Sequence, residues 1–138
     1  MSPRTAFLSR LIGLYTILVS LSMITDKQAT MEKLTGLLSS APLLFVVGVI
    51  VVAAGLALVL GHNVWKGGAL TVIVTIIGWL TLIKGLLFLL LSPQVASAFY
   101  LRTLHDEQLF YLYISVGLLL GIYLSYGGAA QQRAQSPK

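Results

Sequence analysis

The sequence predicts an all-α membrane protein, a four-transmembrane-helix bundle with two short amphipathic surface helices. Three observations predict it. The chain has 138 residues, of which 57% are hydrophobic and only 9% charged, where soluble domains carry roughly 25% charged residues. The apolar residues fall in four long runs, and runs of about 18 or more read as membrane spans. The polar stretches after the first and third runs keep a helical pattern instead of dissolving into loop composition. The mean hydropathy is +0.93, and one domain over residues 1–126 accounts for the patterned part.

The first run covers residues 6–24. Arg4 and Arg10 before a Leu/Ile-rich stretch give it the look of a signal peptide. The residues that follow, Thr25-Asp26-Lys27-Gln28, offer no small-x-small cleavage site, so the expectation is a retained helix. Residues 26–40 are polar but patterned: Met31, Leu34 and Leu38 recur at i, i+3, i+7, and Asp26 stands where a cap is needed. A stripe this short cannot span and suits the membrane surface.

The second span covers residues 42–60 and is the least polar. The turn Gly61-His62-Asn63-Val64-Trp65-Lys66-Gly67-Gly68 is short, which makes the second and third spans antiparallel neighbours. The third span covers residues 69–91. Ser92-Pro93 then breaks it, with serine as a cap and proline suited to a first helical position, so a second surface helix is expected over 94–104. The fourth span covers residues 108–126, and residues 127–138 read as a disordered tail. Each half therefore runs span, amphipathic segment, span. A Gly-Leu-Leu precedes a Pro step in both halves (Gly36 to Pro42, Gly85 to Pro93), but the two lie at different places relative to their spans.

Charge sets the expected orientation. The net charge is +5 and the pI about 9.8. Arg4, Arg10, Lys66, Arg133 and Lys138 flank one side of the spans, and Lys27, Lys33 and Arg102 the other, together with all four acidic residues. The positive-inside rule gives both termini inside, in the inner membrane if the source is bacterial. The basic residues form no patch interleaved with aromatics, so no nucleic acid is expected as a partner. Tyr111 and Tyr126 stand about 22 Å apart along the last span, as two interfacial belts would.

Small residues are what lets helices approach in lipid. The first span offers Ser9, Gly13, Thr16 and Ser20. The second offers Ala53, Ala57 and Gly61, the third Thr71, Thr75, Gly78 and Gly85, and the fourth Gly117, Gly121 and Ser125. They serve either a bundle that packs on itself or, at Gly117 and Gly121, a partner subunit.

Lys84 is the most informative polar residue, about 12 Å of helix below the Ser92 break. An ammonium at mid-helix costs roughly 2.5–3.5 kcal/mol, reduced by snorkelling. Its functional reading is an ion or proton site, or a counter-ion for an anionic substrate. Its structural reading is a snorkelling lysine paired with Glu32, Asp106, Glu107 or a lipid phosphate. His62 and His105 fall on opposite sides, which disfavours a shared metal or haem. His105-Asp106-Glu107 matches no established ligand spacing. Cysteine is absent, which removes disulfides and thiolate sites. No catalytic set, metal set or cofactor is expected.

The segment Gly61-His62-Asn63-Val64-Trp65, followed by Ile77-Gly78-Trp79 and Lys84-Gly85, resembles a family of small bacterial inner-membrane proteins with a Gly-His-Asn-x-Trp turn and a Gly-Trp…Lys-Gly helix. The resemblance covers about a third of the chain and implies His62, Asn63, Trp65, Trp79 and Lys84 as the set to examine. The layout is also similar to DoxX-like proteins, in topology alone. The leading expectation is an accessory subunit of a larger membrane complex, in contact with membrane lipid and other membrane subunits. The alternatives are a small oligomeric transporter or channel using Lys84, and a lipid- or quinone-handling protein.

Overall fold

The computed structural model describes residues 3–134. They form six helices: α1 (Pro3–Thr25), α2 (Lys27–Ser39), α3 (Ala41–Gly61), α4 (Ala69–Leu90), α5 (Pro93–His105) and α6 (Glu107–Ala134). Among the described residues there is no strand. Helices α1, α3, α4 and α6 are long and apolar enough to cross a membrane, and α2 and α5 are the two short amphipathic helices between them.

Local chemistry sets the boundaries. The Asp26 carboxylate accepts from the Ala29 N–H at 2.9 Å, and Ser92 Oγ accepts from the Val95 N–H at 3.5 Å. Asp106 accepts from the Gln108 and Leu109 N–H groups at 3.0 and 3.2 Å. Each side chain satisfies donors that the first helical turn cannot. Pro42 and Pro93 stand in first turns, where a missing N–H loses nothing.

The spans pack as two antiparallel pairs, α1 with α6 and α3 with α4. Both pairs are held at backbone distance by glycine. A Cβ placed on Gly121 would lie 2.9 Å from Gly13 O, and one on Gly13 would strike Ser125 Oγ. In the second pair a Cβ on Gly55 would lie 2.5 Å from Leu82 Cα, and one on Gly85 would lie 2.6 Å from Val52 N. The Gly117/Gly121/Ser125 face is therefore taken up inside the molecule, against Gly13, Ile17 and Ser20 of α1.

Two sequence expectations are corrected. Ala53, Ala57 and Gly61 are not the face by which α3 packs within this chain. They are exposed, and Gly48 and Gly55 are buried instead. Gly48 and Gly55 stand seven residues apart, as do Gly78 and Gly85 opposite them. That period keeps one face of a helix on a near-parallel neighbour. Ala57 is two residues past Gly55, about 200° around the helix, and turns away. The second correction concerns residues 127–138, expected as a disordered tail. α6 continues to Ala134, because Gly127 and Gly128 extend its close-packed face: added Cβ atoms would lie 2.6 Å from Leu70 Cδ1 and 2.8 Å from Ala6 O. Residues 135–138 lie outside the described residues.

The two halves repeat with a constant offset. α5 begins 66 residues after α2 (27 and 93), and α6 66 after α3 (41 and 107). Burial follows the same offset at Thr5/Thr71, Ser9/Thr75, Leu44/Phe110, Gly48/Ile114 and Gly55/Gly121. So do the cap bonds: Thr30 N to Asp26 O matches Ala96 N to Ser92 O, and Leu44 N to Ser40 O matches Phe110 N to Asp106 O. Exchanging the halves converts the α1/α6 pair into α4/α3 and returns α2/α5 to itself. This is the contact pattern of a parallel repeat about an axis running with the spans. The Gly36 and Gly85 segments that look alike in sequence are not the equivalent ones.

One apolar cluster joins the two pairs and a second seats the short helices. Leu70, Val74 and Leu124, with Leu8 and Ile12, tie α4 to α1 and α6 near the termini. Leu38, Leu44, Phe88 and Ala96 seat α2 and α5 on α3 and α4 at the opposite end. Gly85→Ala is expected to lower thermal stability in detergent by about 1–3 kcal/mol, since its methyl meets backbone. Gly61→Ala, with nothing within 4 Å, is expected to stay within about 0.5 kcal/mol of the parent. Melting of the two variants side by side checks this.

Candidate functional site

Two polar clusters stand out, at opposite ends of the α3/α4 pair. The first is the turn between these helices. Gly78 faces Leu58 and Val59, so the residues of α4 before Thr75 extend about 9 Å beyond the end of α3. The connecting segment runs back along this overhang. The His62 N–H closes α3 on Leu58 O at 2.8 Å. Gly67 and Gly68, at φ 115° and 109°, take the left-handed backbone needed to turn into α4.

Thr75 is the hub. Its hydroxyl accepts from the Val64 N–H at 3.2 Å and lies 2.8 Å from Val64 O, its best acceptor. His62 O and Thr71 O stand at 3.4 and 3.1 Å. One buried hydroxyl thus serves an exposed-sequence turn that has no ladder of its own. Beside it, Asn63 Oδ1 accepts from Trp65 Nε1 at 2.9 Å and from Trp79 Nε1 at 3.5 Å. His62 is buried, and its Nε2 has no hydrogen-bond partner among the described residues.

The second cluster surrounds Lys84. Its side chain is exposed on the surface of α4. The ammonium points towards the α2/α5 end and lies 5.6 Å from the Phe88 ring centre and 5.7 Å from that of Tyr100 on α5. Both distances fit cation–π attraction. Burial, and secondarily the Tyr113 phenol on α6, push the Tyr100 hydroxyl above its ordinary pKa, so the phenol stays protonated and able to donate.

The expected acid partners of Lys84 are committed elsewhere. Glu107 pairs with Lys27 at 3.4 Å, Glu32 accepts from Gln28 at 3.5 Å, and Asp106 caps α6. Lys27 has a matching aromatic seat, 5.2 Å from the Phe110 ring and 5.5 Å from Tyr111, but with a carboxylate added. His105 Nδ1 contacts Leu101 O at 3.0 Å. Among the described residues no group of three or more His, Cys, Asp or Glu could hold a metal.

The structure thus brings His62, Asn63, Trp65 and Trp79 together and leaves Lys84 apart. The split follows from the rise of α4, because Lys84 is more than a turn past Trp79 towards the other end. Sequence reasoning missed Asn63 as the shared acceptor and Thr75 as the hub. It also missed the aromatic seat. Phe88 was legible as the i+4 neighbour of Lys84, whereas Tyr100 arrives on another helix. Compared with family models, curated proteins and solved structures, the chain finds no match in any of the three.

Thr75→Val keeps the shape and removes the hydroxyl. It leaves the Val64 N–H without its acceptor and is expected to cost about 1–3 kcal/mol, read as a lower melting temperature. In a Trp79→Phe background, Asn63→Leu is expected to shift Trp65 fluorescence and Asn63→Asp, which keeps an acceptor oxygen, to shift it less.

Proposed function

We propose that this protein is an accessory subunit, without catalysis of its own, that packs against and stabilises a larger membrane complex. The observation that carries the reading is an open groove between α1 and α3 near the termini. It measures about 490 Å³ and is lined by Pro3, Arg4, Phe7, Leu8, Ala57 and Gly61. The repeat gives the groove its meaning. In the equivalent place of the other half, Leu70 of α4 fills the space over Gly127 of α6. Over Gly61 there is nothing within 4 Å. Ala53, Ala57 and Gly61 therefore offer a small-residue surface that this chain leaves uncovered, and in lipid such a surface admits a neighbouring helix closely. The occupant we assign is a transmembrane helix of the larger complex. The rest of the outer surface faces membrane lipid.

The location that accompanies this reading is a bacterial inner membrane with both termini in the cytoplasm, supported by the five basic residues that flank that side. A second reading is a small oligomeric transporter or channel using Lys84. The internal repeat favours it, because parallel repeats recur in secondary transporters.

The deciding experiment is extraction from native membranes in a mild detergent, with the native mass and composition measured. Stoichiometric co-purification with a larger complex is the expected result. Ala57→Leu, which fills the groove from an exposed position, is expected to release the partner while the isolated chain keeps its melting temperature. A lone monomer or homo-oligomer would overturn the subunit reading and favour transport, tested next by flux with Lys84→Ala.

A further inference from the structure

We propose that Lys84 and Tyr100 form a binding site for the phosphate group of an anionic phospholipid, in the leaflet next to α2 and α5. The inference does not depend on which complex the protein serves.

The repeat supplies the first argument. At the 66-residue offset, Lys84 corresponds to Leu18, Phe88 to Ser22 and Tyr100 to Leu34. The same unit closes on the other side with two leucines and a serine. Packing of the scaffold therefore does not call for a cation and a phenol at these places. They are an addition to one half.

The second argument is charge. Two lysines sit on aromatic pairs at this end of the molecule. Lys27, on Phe110 and Tyr111, is neutralised by Glu107 at 3.4 Å. Lys84, on Phe88 and Tyr100, has no carboxylate partner among the described residues. A cation held inside the apolar part of a span needs an anion nearby, and this one is open to the lipid side.

Donor chemistry selects the anion. The ammonium provides up to three donors and the Tyr100 phenol one, a set that suits the unesterified oxygens of a phosphodiester. The Tyr100 hydroxyl has no hydrogen bond among the described residues. The aromatic faces select the headgroup. Lys84 already occupies the rings of Phe88 and Tyr100, so no seat remains for a choline or ethanolamine cation, which would bring a like charge beside the lysine. A headgroup without a cation, as in phosphatidylglycerol, fits.

The test uses the purified full chain in detergent, titrated with phosphatidylglycerol or phosphatidylcholine and read by native mass spectrometry and thermal shift. The expected result is about tenfold tighter binding of phosphatidylglycerol, the size of one charge-assisted hydrogen bond. Lys84→Leu, which copies Leu18 of the other half, is expected to fold and to bring the preference within about twofold of none. Tyr100→Phe, which keeps the ring and removes the hydroxyl, should reduce it in part, and Lys27→Met should leave it intact. An unchanged preference in Lys84→Leu would overturn the proposal. So would an equal stabilisation by inorganic phosphate alone, which would assign the site to a free anion. Were Lys84→Leu not to fold, Lys84→Met and Tyr100→Phe would decide on the same readout.

Discussion

Everything else in this molecule depends on backbone-to-backbone approach at glycine. Lipid removes the hydrophobic drive that would press two apolar helices together in water. What remains is contact, and contact is greatest where side chains are missing on one helix and present on the other. Gly48 and Gly55 receive Leu89 and Leu82, while Gly78 and Gly85 receive Leu58 and Val52. The exchange is reciprocal and runs the length of the α3/α4 pair. α1 and α6 reach the same end with Gly13, Gly117, Gly121 and Gly128. Between the pairs the packing is sparse, and that contrast makes a groove beside α3 and an open flank beside Lys84.

The repeat shows how one scaffold carries two different sets of polar groups. Ser9 and Thr75 are equivalent buried positions. In the second half Thr75 holds the turn after α3, because His62 and Val64 return alongside it. In the first half the equivalent stretch, Gly128-Ala129-Ala130, stays helical within α6. Ser9 has no turn to hold, and its hydroxyl lacks a partner among the described residues. The turn at 62–68 is thus a departure from the repeat, and the Asn63 clamp on two indoles goes with it.

Charge follows the same division. Acidic side chains at the α2/α5 end either cap helices or pair with side chains on the surface. They do not reach down the spans. Lys84 solves its own placement by extending one turn towards the interface and lying on two rings, as amphipathic side chains do at membrane boundaries. Its stem lies along the span while its charge is carried towards the α2/α5 end. The accessory-subunit reading and the lipid site thus draw on different faces of the bundle.

Composition and run length by themselves determined four apolar helices long enough to span, two short helices between them, and every boundary within a few residues except the end of α6. These properties are local: a run of apolar residues must lie in lipid, and Asp26, Ser92 and Pro93 end or begin helices wherever the rest of the chain goes. The sequence also displayed Lys84 and the Gly-His-Asn-x-Trp turn as unusual. Only the tertiary structure decided that Gly55 and not Ala57 faces α4, because a stripe becomes an interface only when its period matches a neighbour. It alone joined Asn63 to Trp79 across 16 residues and brought Tyr100 over Lys84. The repeat stayed hidden for the same reason. Its equivalent positions share burial and not residue identity, as Leu44 and Phe110 or Gly48 and Ile114 do, because each half packs its own set of side chains on the same helical frame.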